Sequence, residues 1–392
     1  MLFLQYENNV LMQKKKKIIR ATTVPTSLDT FCREQLRELN ERYEVVAVSS
    51  PLPELEVVAN REGVRTIAVK MERHISPWSD LKSLIKMIYV FAKERPWMVH
   101  SMTPKAGLVC MVAAWITRVP KRVHTFTGLV WPTATGIKRK ILMTTDRILC
   151  ACATHIIPEG NGVKRDLIEG GITRKSMRVL ANGNVRGIDL VHYNRTSQVM
   201  EDAEKIRKEG VTTFIFIGRV VRDKGMHELV DAFVRLHKLH SNTRLILVGR
   251  VEPELDPLNA ETQQVIDAHD AIEAVGNQKD VRPWLAASDV LVFPSYREGF
   301  PNVVIEAGTL GLPSIVSDIN GCNEIIIPNE NGVIIPSKDA DALYEAMLEM
   351  HVNETDRTRM ASNARKSMAT RFDCHIVRRA LYDFYDSLEE SE

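Results

Sequence analysis

A strand–loop–helix unit can be read in Asp289-Val-Leu-Val-Phe-Pro-Ser-Tyr-Arg-Glu-Gly-Phe-Pro-Asn-Val-Val-Ile-Glu-Ala-Gly308. The run Val290–Phe293 is short, continuous and apolar, which is typical of a strand buried on both faces. Pro301 suits the first turn of a helix, so Glu298 lies in the loop and Glu306 on the second turn. The first turn of that helix offers unpaired N–H groups beside the loop carboxylate. The stretch therefore predicts a polar binding site at the end of a buried strand.

The same alternation extends outward over most of the chain. Upstream, we expect strands near Lys17–Val24, Glu44–Ser50, Arg65–Val69, Met98–His100 and Arg122–Phe126, with helices near Leu28–Arg42, Ser79–Lys93 and Lys105–Thr117. The pattern weakens in the polar stretch 191–210, restarts at Thr213–Gly218 and ends in helical sequence over Asp339–Tyr385. Parallel sheets covered on both faces give this pattern, so we predict two tandem doubly wound, Rossmann-like α/β domains with a ligand cleft between them.

We place the domain boundaries from this pattern. Residues 1–190 form an N-terminal domain and residues 191–370 form a C-terminal domain. Residues 371–392 form a tail helix that crosses back onto the first domain. Residues 1–13 match the fold poorly, so disorder is expected there, and either Met1 or Met12 is the start of the protein.

Composition limits the class of protein. The chain has 392 residues, of which 44% are hydrophobic and 26% charged, and this balance excludes disordered and collagen-like proteins. We find no apolar window long enough for a membrane span and no secretory signal, and the six cysteines form no CxxC pair. Reduced thiols in a cytoplasmic protein are therefore expected.

Charge divides the chain into a basic and an acidic half. Residues 1–190 hold 30 Lys and Arg against 17 Asp and Glu, and the remainder holds 22 against 33. A basic half suits nucleic acid, an anionic membrane surface or a pyrophosphate substrate. Because that half shows no recognisable nucleic-acid motif, nucleic acid is not expected as a partner.

A second loop carries two cations. Arg219 and Lys224 lie between Gly218, which ends a strand, and Gly225, which precedes a helix. Glycine allows close approach of the backbone, the cations neutralise negative charge, and the helix N-terminus adds N–H donors. This loop predicts a diphosphate site.

The chain resembles the family-four retaining glycosyltransferases, which have the two-domain GT-B fold. The resemblance covers nearly the whole chain from Lys17. In the second half it is carried by Gly218-Arg219, Lys224-Gly225, Asp289–Ser295, Glu298 with Glu306, Gly187–Asp189 and Asn320–Glu324. In the first half, Thr22–Ser27, Val99–Gly107 and His124–Trp131 are similar to the bacterial branch that builds capsule, O-antigen and related surface glycans.

The resemblance implies transfer of a hexose or N-acetylhexosamine from a nucleotide diphosphate sugar, with UDP as the favoured nucleotide. Arg219 and Lys224 would hold the diphosphate as leaving group, Glu298 would contact hydroxyls of the donor sugar, and Glu306 would bind the ribose. These three side chains, Arg219, Lys224 and Glu298, are the expected catalytic residues. The wider donor site would include Gly218, Gly276, Asn277, Gly299, Phe300, Pro301, Asn302 and Val303.

The resemblance implies that residues 1–190 bind the acceptor and residues 191–370 the donor. The sequence departs from the family in the acceptor-binding domain. Many members have a His–Gly pair after the strand that corresponds to Val123–Phe126, whereas this chain has Thr127-Gly128. His124 and Thr127 are therefore alternatives for contact with the sugar. His100 ends a predicted strand and either packs structurally or contacts the acceptor. Thr23 and Ser27 stand where the family has a Gly-rich loop, and acceptor contact is expected there.

We expect a reaction that needs neither a metal nor another cofactor. The one Asp-x-Asp string, Asp339-Ala-Asp341, opens a helix, so helix capping explains it. The resemblance implies retention of anomeric configuration. Retention can proceed by double displacement with Glu298 as nucleophile or by a front-face route, which we favour because it requires only positioning.

The acceptor is expected to be a lipid-linked or other glycan. The helix Trp78–Lys93, with Ile85, Met87, Ile88 and Phe91, alternates with lysines and suits an anionic lipid surface, or else it is an ordinary packing helix. Further cations for such a surface are Lys14–Lys17, Lys121-Arg122 and Lys138–Lys140. The expected location is the cytoplasm, peripheral to the inner face of the plasma membrane. Two alternatives remain: a UDP-sugar 2-epimerase of the same fold, and a non-catalytic nucleotide-sugar-binding partner of a polysaccharide assembly complex.

Overall fold

A computed structural model describes residues 15–72, 74, 76–252 and 256–390. The expectations for residues 1–13 and for the start of the protein lie outside these ranges. The described chain divides into two compact units. The first comprises residues 15–159, 164–178 and 384–390, and the second comprises residues 160–163 and 179–383 apart from 253–255.

The first unit is built on a parallel sheet with strand order β3-β2-β1-β4-β5-β6. The strands are β1 (Lys17–Ala21), β2 (Glu44–Ser49), β3 (Arg65–Ala68), β4 (Met98–Met102), β5 (Lys121–Phe126) and β6 (His155–Pro158). The helices that connect and follow them are α1 (Pro25–Cys32), α2 (Gln35–Arg42), α3 (Glu54–Glu62), α4 (Pro77–Glu94), α5 (Pro104–Ile116), α6 (Gly136–Cys152) and α7 (Asn161–Glu169).

The second unit has a parallel sheet with strand order β12-β11-β10-β7-β8-β9. Its strands are β7 (Thr212–Ile217), β8 (Thr243–Val248), β9 (Ile272–Gly276), β10 (Val290–Phe293), β11 (Ser314–Ser317) and β12 (Gly332–Ile335). The helices are α8 (Ser197–Glu204), α9 (Met226–Leu239), α10 (Ala260–Ala268), α11 (Arg282–Ala286), α12 (Asn302–Thr309), α13 (Cys322–Ile325), α14 (Ala340–Val352), α15 (Glu354–Phe372) and α16 (Cys374–Glu390).

Both sheets have the doubly wound order that the alternation predicts. The chain leaves the centre of each sheet in one direction and then returns to fill the other side. Central strands such as β1 and β10 are almost wholly buried, because helices cover both faces of a parallel sheet. In this arrangement the carboxyl ends of the strands meet along one edge, where ligand sites form.

The predicted helix over Leu28–Arg42 is wrong in one respect, because the structure has two helices there. They separate at Arg33-Glu34, where Glu34 takes a left-handed φ of 63°. The buried carboxylate of Glu62 accepts hydrogen bonds from the amides of Glu34 (3.0 Å) and Arg37 (3.3 Å). A residue outside the predicted segment therefore stabilises the break.

The helical tail has a similar correction. Asp339–Tyr385 contains α14, α15 and most of α16 rather than one continuous element. Asn353 and Asp373 separate the three helices, and the Asn353 side chain caps α15 by accepting from the amide of Asp356 at 3.2 Å. The residues of α16 from Phe384 onward group with the first unit. Within the described residues, no helix is both long and apolar enough to cross a bilayer.

Candidate active site

Glycines bring three loops of the second unit into contact at the carboxyl edge of its sheet. A Cβ on Gly249, which follows β8, would lie 1.7 Å from the carbonyl oxygen of Gly218, which follows β7. A Cβ on Gly225 would lie 2.2 Å from the carbonyl oxygen of Pro294, which follows β10. No side chain fits at either position, so glycine allows the loops to approach. The cationic loop and the Glu298 loop thereby become neighbours.

Lys224 and Glu298 form an ion pair at this junction. Both side chains are largely buried, and the Lys224 ammonium also lies 5.5 Å from the centre of the Phe293 ring. The Ser295 hydroxyl donates to the same oxygen, Glu298 Oε1, at 3.0 Å. Two of the predicted catalytic side chains are therefore brought together, 74 residues apart in sequence.

The loop that carries Glu298 is braced against the cationic loop. The amide of Tyr296 donates to the carbonyl of Asp223 at 2.9 Å, and the Arg297 guanidinium donates to the Asp223 carboxylate at 3.1 Å. Arg219, the third predicted catalytic residue, is more exposed and donates to Glu252 Oε2 at 3.2 Å. Both predicted diphosphate cations, Arg219 and Lys224, thus pair with carboxylates of the second unit.

The start of α12 supplies amide donors. Pro301 is extended, and the first backbone hydrogen bond of the turn runs from the amide of Val304 to Pro301 at 3.2 Å. Among the described residues, the amides of Asn302 and Val303 have no acceptor. Gly321 packs directly on this turn, because a Cβ there would lie 2.5 Å from the carbonyl oxygen of Gly299. The predicted cradle over Gly299–Val303 therefore has a fixed backbone, with the Phe300 side chain buried in the core.

Glu306 lies on the second turn of α12 and is nearly buried. Arg186 donates to its Oε1 at 3.2 Å, and the same guanidinium lies 6.0 Å from the Tyr193 ring. Burial and then the negative charge of Glu306 raise the pKa of Tyr193. Burial lowers the pKa of the Arg186 guanidinium, but Glu306 and Tyr193 together outweigh burial, so this pKa is raised. Arg186 thus pairs with the Glu306 side chain.

Sequence reasoning missed the segment that supports this carboxylate. Asn184 donates to Asn302 Oδ1 at 2.9 Å and accepts from the amides of Arg186 and Gly187 at 3.0 and 2.7 Å. Gly187 was noted only as part of a motif, and Arg186 beside it was not singled out. The signal that could have found them is the run Asn182-Gly-Asn-Val-Arg-Gly187, in which the structure gives Gly183, Asn184 and Gly187 a positive φ.

The other predicted donor residues lie at the neighbouring strand end. Gly276 ends β9 with a φ of 67°, and its carbonyl accepts from the amide of Gly249 at 2.9 Å. Asn277 follows it and is exposed, while Gln278 donates to the carbonyl of Val275 at 2.7 Å. The loop after β9 is therefore tied to the loop after β8, and through Gly249 to Gly218.

In the first unit, Thr23 follows β1 and is buried. Its hydroxyl bonds that of Thr103 at 2.8 Å and accepts from the amide of Ala106 at 3.2 Å, so it caps the start of α5. Ser27 on α1 and Thr127 after β5 are half-exposed. These two, rather than Thr23, have solvent-accessible side chains.

His100 and His124 lie in the core of the first unit. His100 Nδ1 bonds the Tyr385 hydroxyl at 2.6 Å, and its Nε2 bonds Thr125 Oγ1 at 2.7 Å. His124 Nδ1 bonds Ser101 Oγ at 2.9 Å, and the ring packs edge-on against Phe126. Both imidazoles are therefore buried and hydrogen-bonded within the first unit, and a contact of either one with a substrate stays a prediction.

The buried imidazoles predict a pH dependence of stability. Burial lowers the pKa of His124 to about 3, so the ring stays neutral in the folded unit, whereas the unfolded chain binds a proton below about pH 6.5. The unfolded state therefore gains stability as pH falls from about 6.5 towards 3. His124→Asn should reduce the pH slope of the unfolding free energy by one proton, about 1.4 kcal/mol per pH unit.

Urea unfolding of His124→Asn and of the parent protein at pH 4.5 and 5.5 measures that slope. Tryptophan fluorescence reports mainly on the first unit, which holds Trp78, Trp97, Trp115 and Trp131. Burial raises the pKa of Asp146 to about 7, which acts in the opposite direction, but Asp146 is present in both proteins and cancels. The exposed His74→Gln is the control. Equal slopes in all three proteins would contradict the prediction.

The Asp-x-Asp string has the capping role predicted for it. Asp339 Oδ1 accepts from the amide of Ala342 at 2.9 Å, and Asp341 pairs with Arg235 at 2.6 Å. Among the described residues, one group has three possible metal ligands within reach of each other, Asp373-Cys374-His375 at the start of α16. Its Cys374 is buried, and the amide of Cys374 donates to the carbonyl of Ile188 at 2.9 Å.

Comparison with solved structures identifies the fold class. The protein Alr3699/HepE of Anabaena, crystallised with UDP, superposes with a TM-score of 0.78 over 95% of this chain and 100% of its own. The sequence identity is 18%, so this likeness establishes the fold alone. The two parallel six-stranded sheets are those of the GT-B class.

Comparison with known sequences identifies the family. Residues 28–183 match the glycosyl transferase 4-like domain, and residues 199–367 match glycosyl transferases group 1. The capsular polysaccharide biosynthesis glycosyltransferase CapM of Staphylococcus aureus is 32% identical over 97% of this chain and 99% of its own. The chain therefore belongs to the family-four glycosyltransferases, and it is an enzyme of that class. A second relative, the UDP-Gal:alpha-D-GlcNAc-diphosphoundecaprenol alpha-1,3-galactosyltransferase of Escherichia coli, is 29% identical over 78% of this chain and 79% of its own.

Proposed function

We propose that the protein transfers a hexose or N-acetylhexosamine from a UDP-sugar to a lipid-linked or glycan acceptor in bacterial surface-polysaccharide biosynthesis. The observation that carries the proposal is the largely buried Lys224–Glu298 pair, followed in sequence by the amides of Asn302 and Val303, which have no acceptor in the described part of the chain. A cation, a carboxylate and helix N–H donors in one place suit a sugar diphosphate. The printed substrates of the E. coli relative support the choice of UDP donor and lipid-linked acceptor.

In the proposed donor complex, the diphosphate replaces carboxylates as partner of Lys224 and Arg219. Glu298, once released from Lys224, accepts hydrogen bonds from hydroxyls of the sugar and orients it. Glu306, held by Arg186, accepts from the ribose hydroxyls, and the loop at Gly276 and Asn277 packs on the base. Gly218 and the turn Gly299–Val303 bring backbone close to the phosphates.

The proposed reaction retains the anomeric configuration through a front-face route. The bond between the anomeric carbon and the phosphate oxygen breaks, and the acceptor oxygen bonds that carbon on the same face. The proton of the acceptor hydroxyl passes to the leaving phosphate oxygen. Lys224, Arg219 and the amides of α12 stabilise the growing negative charge, so the proposed reaction needs no metal. Ser27 and Thr127 are the proposed acceptor-side contacts, because their side chains are accessible.

The proposed acceptor also implies a location. A lipid-linked acceptor lies in a bilayer, so we propose that the enzyme works in the cytoplasm at the inner face of an anionic membrane. The excess of cations in residues 1–190 supports this location, since anionic lipid attracts basic surfaces.

A donor panel tests the proposed function. Nucleotide release is measured from UDP- and GDP-sugars in EDTA, with and without an extract of lipid-linked acceptors. We expect release from one UDP-sugar, enhanced by the extract and unchanged by EDTA. Asp341→Asn is the matched control for a metal route through Asp339-Ala-Asp341 and should behave as the parent protein. Activity that EDTA abolishes, or release from no donor by a protein that binds no UDP, would overturn the proposal.

A further inference from the structure

One helix of the first unit exposes a line of large apolar side chains. On α4, Ser83, Met87, Val90 and Phe91 pack inward. Trp78, Leu81, Ile85 and Tyr89 point outward and are 80%, 46%, 59% and 66% exposed. The spacing of three or four residues places these four side chains on one face of the helix. Of the apolar residues expected there from sequence, Met87 and Phe91 are core, so the exposed line differs from the one predicted.

The next two helices of the layer, α5 and α6, also expose large apolar side chains. The helix α5 packs against α4, and α6 packs against α5, in one layer. Their exposed large apolar residues are Trp115, Ile116, Ile137, Ile141 and Ile148. Clusters of exposed large apolar residues on soluble proteins often mark surfaces that contact a partner.

Charge differs sharply between the two helical layers of this unit. Helices α4–α6 carry eight Lys and Arg and three carboxylates, whereas α1–α3 carry three Lys and Arg and six carboxylates. Right-handed crossovers put these two sets of helices on opposite faces of the sheet. Of the three carboxylates, Asp80 pairs with Lys105, and Glu94 pairs with Lys17 and Arg65. Burial raises the pKa of the third, Asp146, to about 7.

A groove of about 540 Å³ lies beside the apolar line at the start of α4. It is lined by Lys70, Glu72, Ser76, Trp78, Ser79, Lys82, Ser83 and Lys86. Glu72 pairs with Lys70 at 2.9 Å, while Lys82 and Lys86 have no acidic partner among the described residues. The groove therefore has two uncompensated cations next to an exposed tryptophan.

We propose that α4 docks on an anionic lipid bilayer, with a headgroup phosphate in the groove between Lys82 and Lys86 and with Trp78, Leu81, Ile85 and Tyr89 in the interface. Tryptophan and tyrosine favour the headgroup level of a bilayer, and lysines beside an apolar face bind its anionic phosphates. The occupant is a lipid phosphate rather than a soluble one, because the groove and the apolar line share Trp78. This inference extends the proposed function, which supplies the reason for a lipid surface.

The position of the groove fits that role. Helix α4 follows β3, so its first turn lies towards the carboxyl edge of the first sheet. Thr127, a proposed acceptor contact, follows β5 at the same edge. A bilayer seated on α4 would therefore lie on the acceptor side of this unit.

Vesicle binding tests the proposal. The full chain is mixed with phosphatidylcholine vesicles with and without phosphatidylglycerol, and the bound fraction is measured by sedimentation. Binding should require phosphatidylglycerol and weaken with salt. Lys82→Gln/Lys86→Gln should weaken it about thirtyfold, since each cation near an anionic surface contributes about 1 kcal/mol. Trp78→Ser/Ile85→Ser should weaken it at least about tenfold.

Matched variants test whether vesicle binding depends on the α4 surface rather than on the total charge or exposed apolar area of the protein. Lys238→Gln/Lys366→Gln removes the same charge from the second unit, and Val57→Ser/Leu239→Ser removes exposed apolar groups elsewhere. Both should bind vesicles as the parent does, and all variants should keep the parent's thermal unfolding midpoint. Equal binding to neutral and anionic vesicles, no binding, or parental binding by the α4 variants would overturn the proposal.

UDP binding, measured in the same samples, separates this inference from the proposed function. The α4 variants should bind UDP as the parent does. Loss of vesicle binding with UDP binding intact is the expected result for these variants. A parent protein that binds vesicles but no UDP would overturn the proposed function and leave the docking surface standing.

Discussion

Lys224→Met is expected to lower kcat/KM for the donor sugar about a thousandfold, equivalent to about 4 kcal/mol of transition-state stabilisation. The Lys224 ammonium is largely buried, so its charge acts where water screens it little. Methionine keeps most of the packing against Phe293 but removes the charge that would balance the leaving diphosphate. Steady-state kinetics of nucleotide release measure the effect.

The matched control is another lysine close to the same loop. Lys338 lies 4.9 Å from the centre of the Tyr296 ring and has no role in the proposed site. Lys338→Met should therefore change kcat/KM by less than about twofold. If Lys224→Met were as active as Lys338→Met, the assignment of Lys224 to the diphosphate would be wrong. Thermal unfolding of both variants shows whether either loses activity through its fold.

The strands that sequence predicts best are the buried central ones. Val290–Phe293, which lies between β7 and β11, has the predicted bounds, because a continuous run of buried apolar residues between turn residues rarely forms anything but a strand. The strand His155–Pro158 and the helix Glu54–Glu62 were missed. The strand has only two adjacent apolar residues, Ile156 and Ile157, and the helix mixes its apolar residues with charged ones. Packing against the rest of the unit stabilises both, and no local pattern contains that information.

In the candidate site too, local sequence patterns do not predict contacts between residues that are distant in sequence. Glu298 and Glu306 were found because they belong to one strand–loop–helix unit. Arg186 was not found because it contacts Glu306 across 120 residues of sequence, and only the folded sheet brings the two together. The exposed face of α4 was mispredicted for a related reason. Apolar residues occur all around that helix, so only its packing determines that Met87 is core and Tyr89 is surface.

The activities of two Glu298 variants distinguish a nucleophile from a group that orients the sugar. We expect Glu298→Ala to lower kcat about a hundredfold and Glu298→Gln only about tenfold, since the amide oxygen still accepts a hydrogen bond from a sugar hydroxyl. A nucleophile would behave differently, because neither alanine nor glutamine can form a glycosyl ester, and both variants would lose activity to a similar and much larger extent. The ratio of the kcat values of the two variants, measured at saturating donor, is therefore more informative than either loss of activity alone.

The partners of Glu298 make this comparison interpretable. Ser295 donates to the same carboxylate oxygen that pairs with Lys224, so the side chain is anchored before any donor binds. Ser295→Ala removes that anchor without touching the carboxylate, and it should lower kcat severalfold if orientation is what matters. If Glu298→Gln and Glu298→Ala both lost more than about 10⁴-fold while Ser295→Ala was unaffected, the front-face route would be untenable. A carboxylate tied in advance to a hydroxyl and an ammonium is poorly placed to attack carbon, because both partners lower its nucleophilicity, and this is the physical reason to expect the smaller, graded loss.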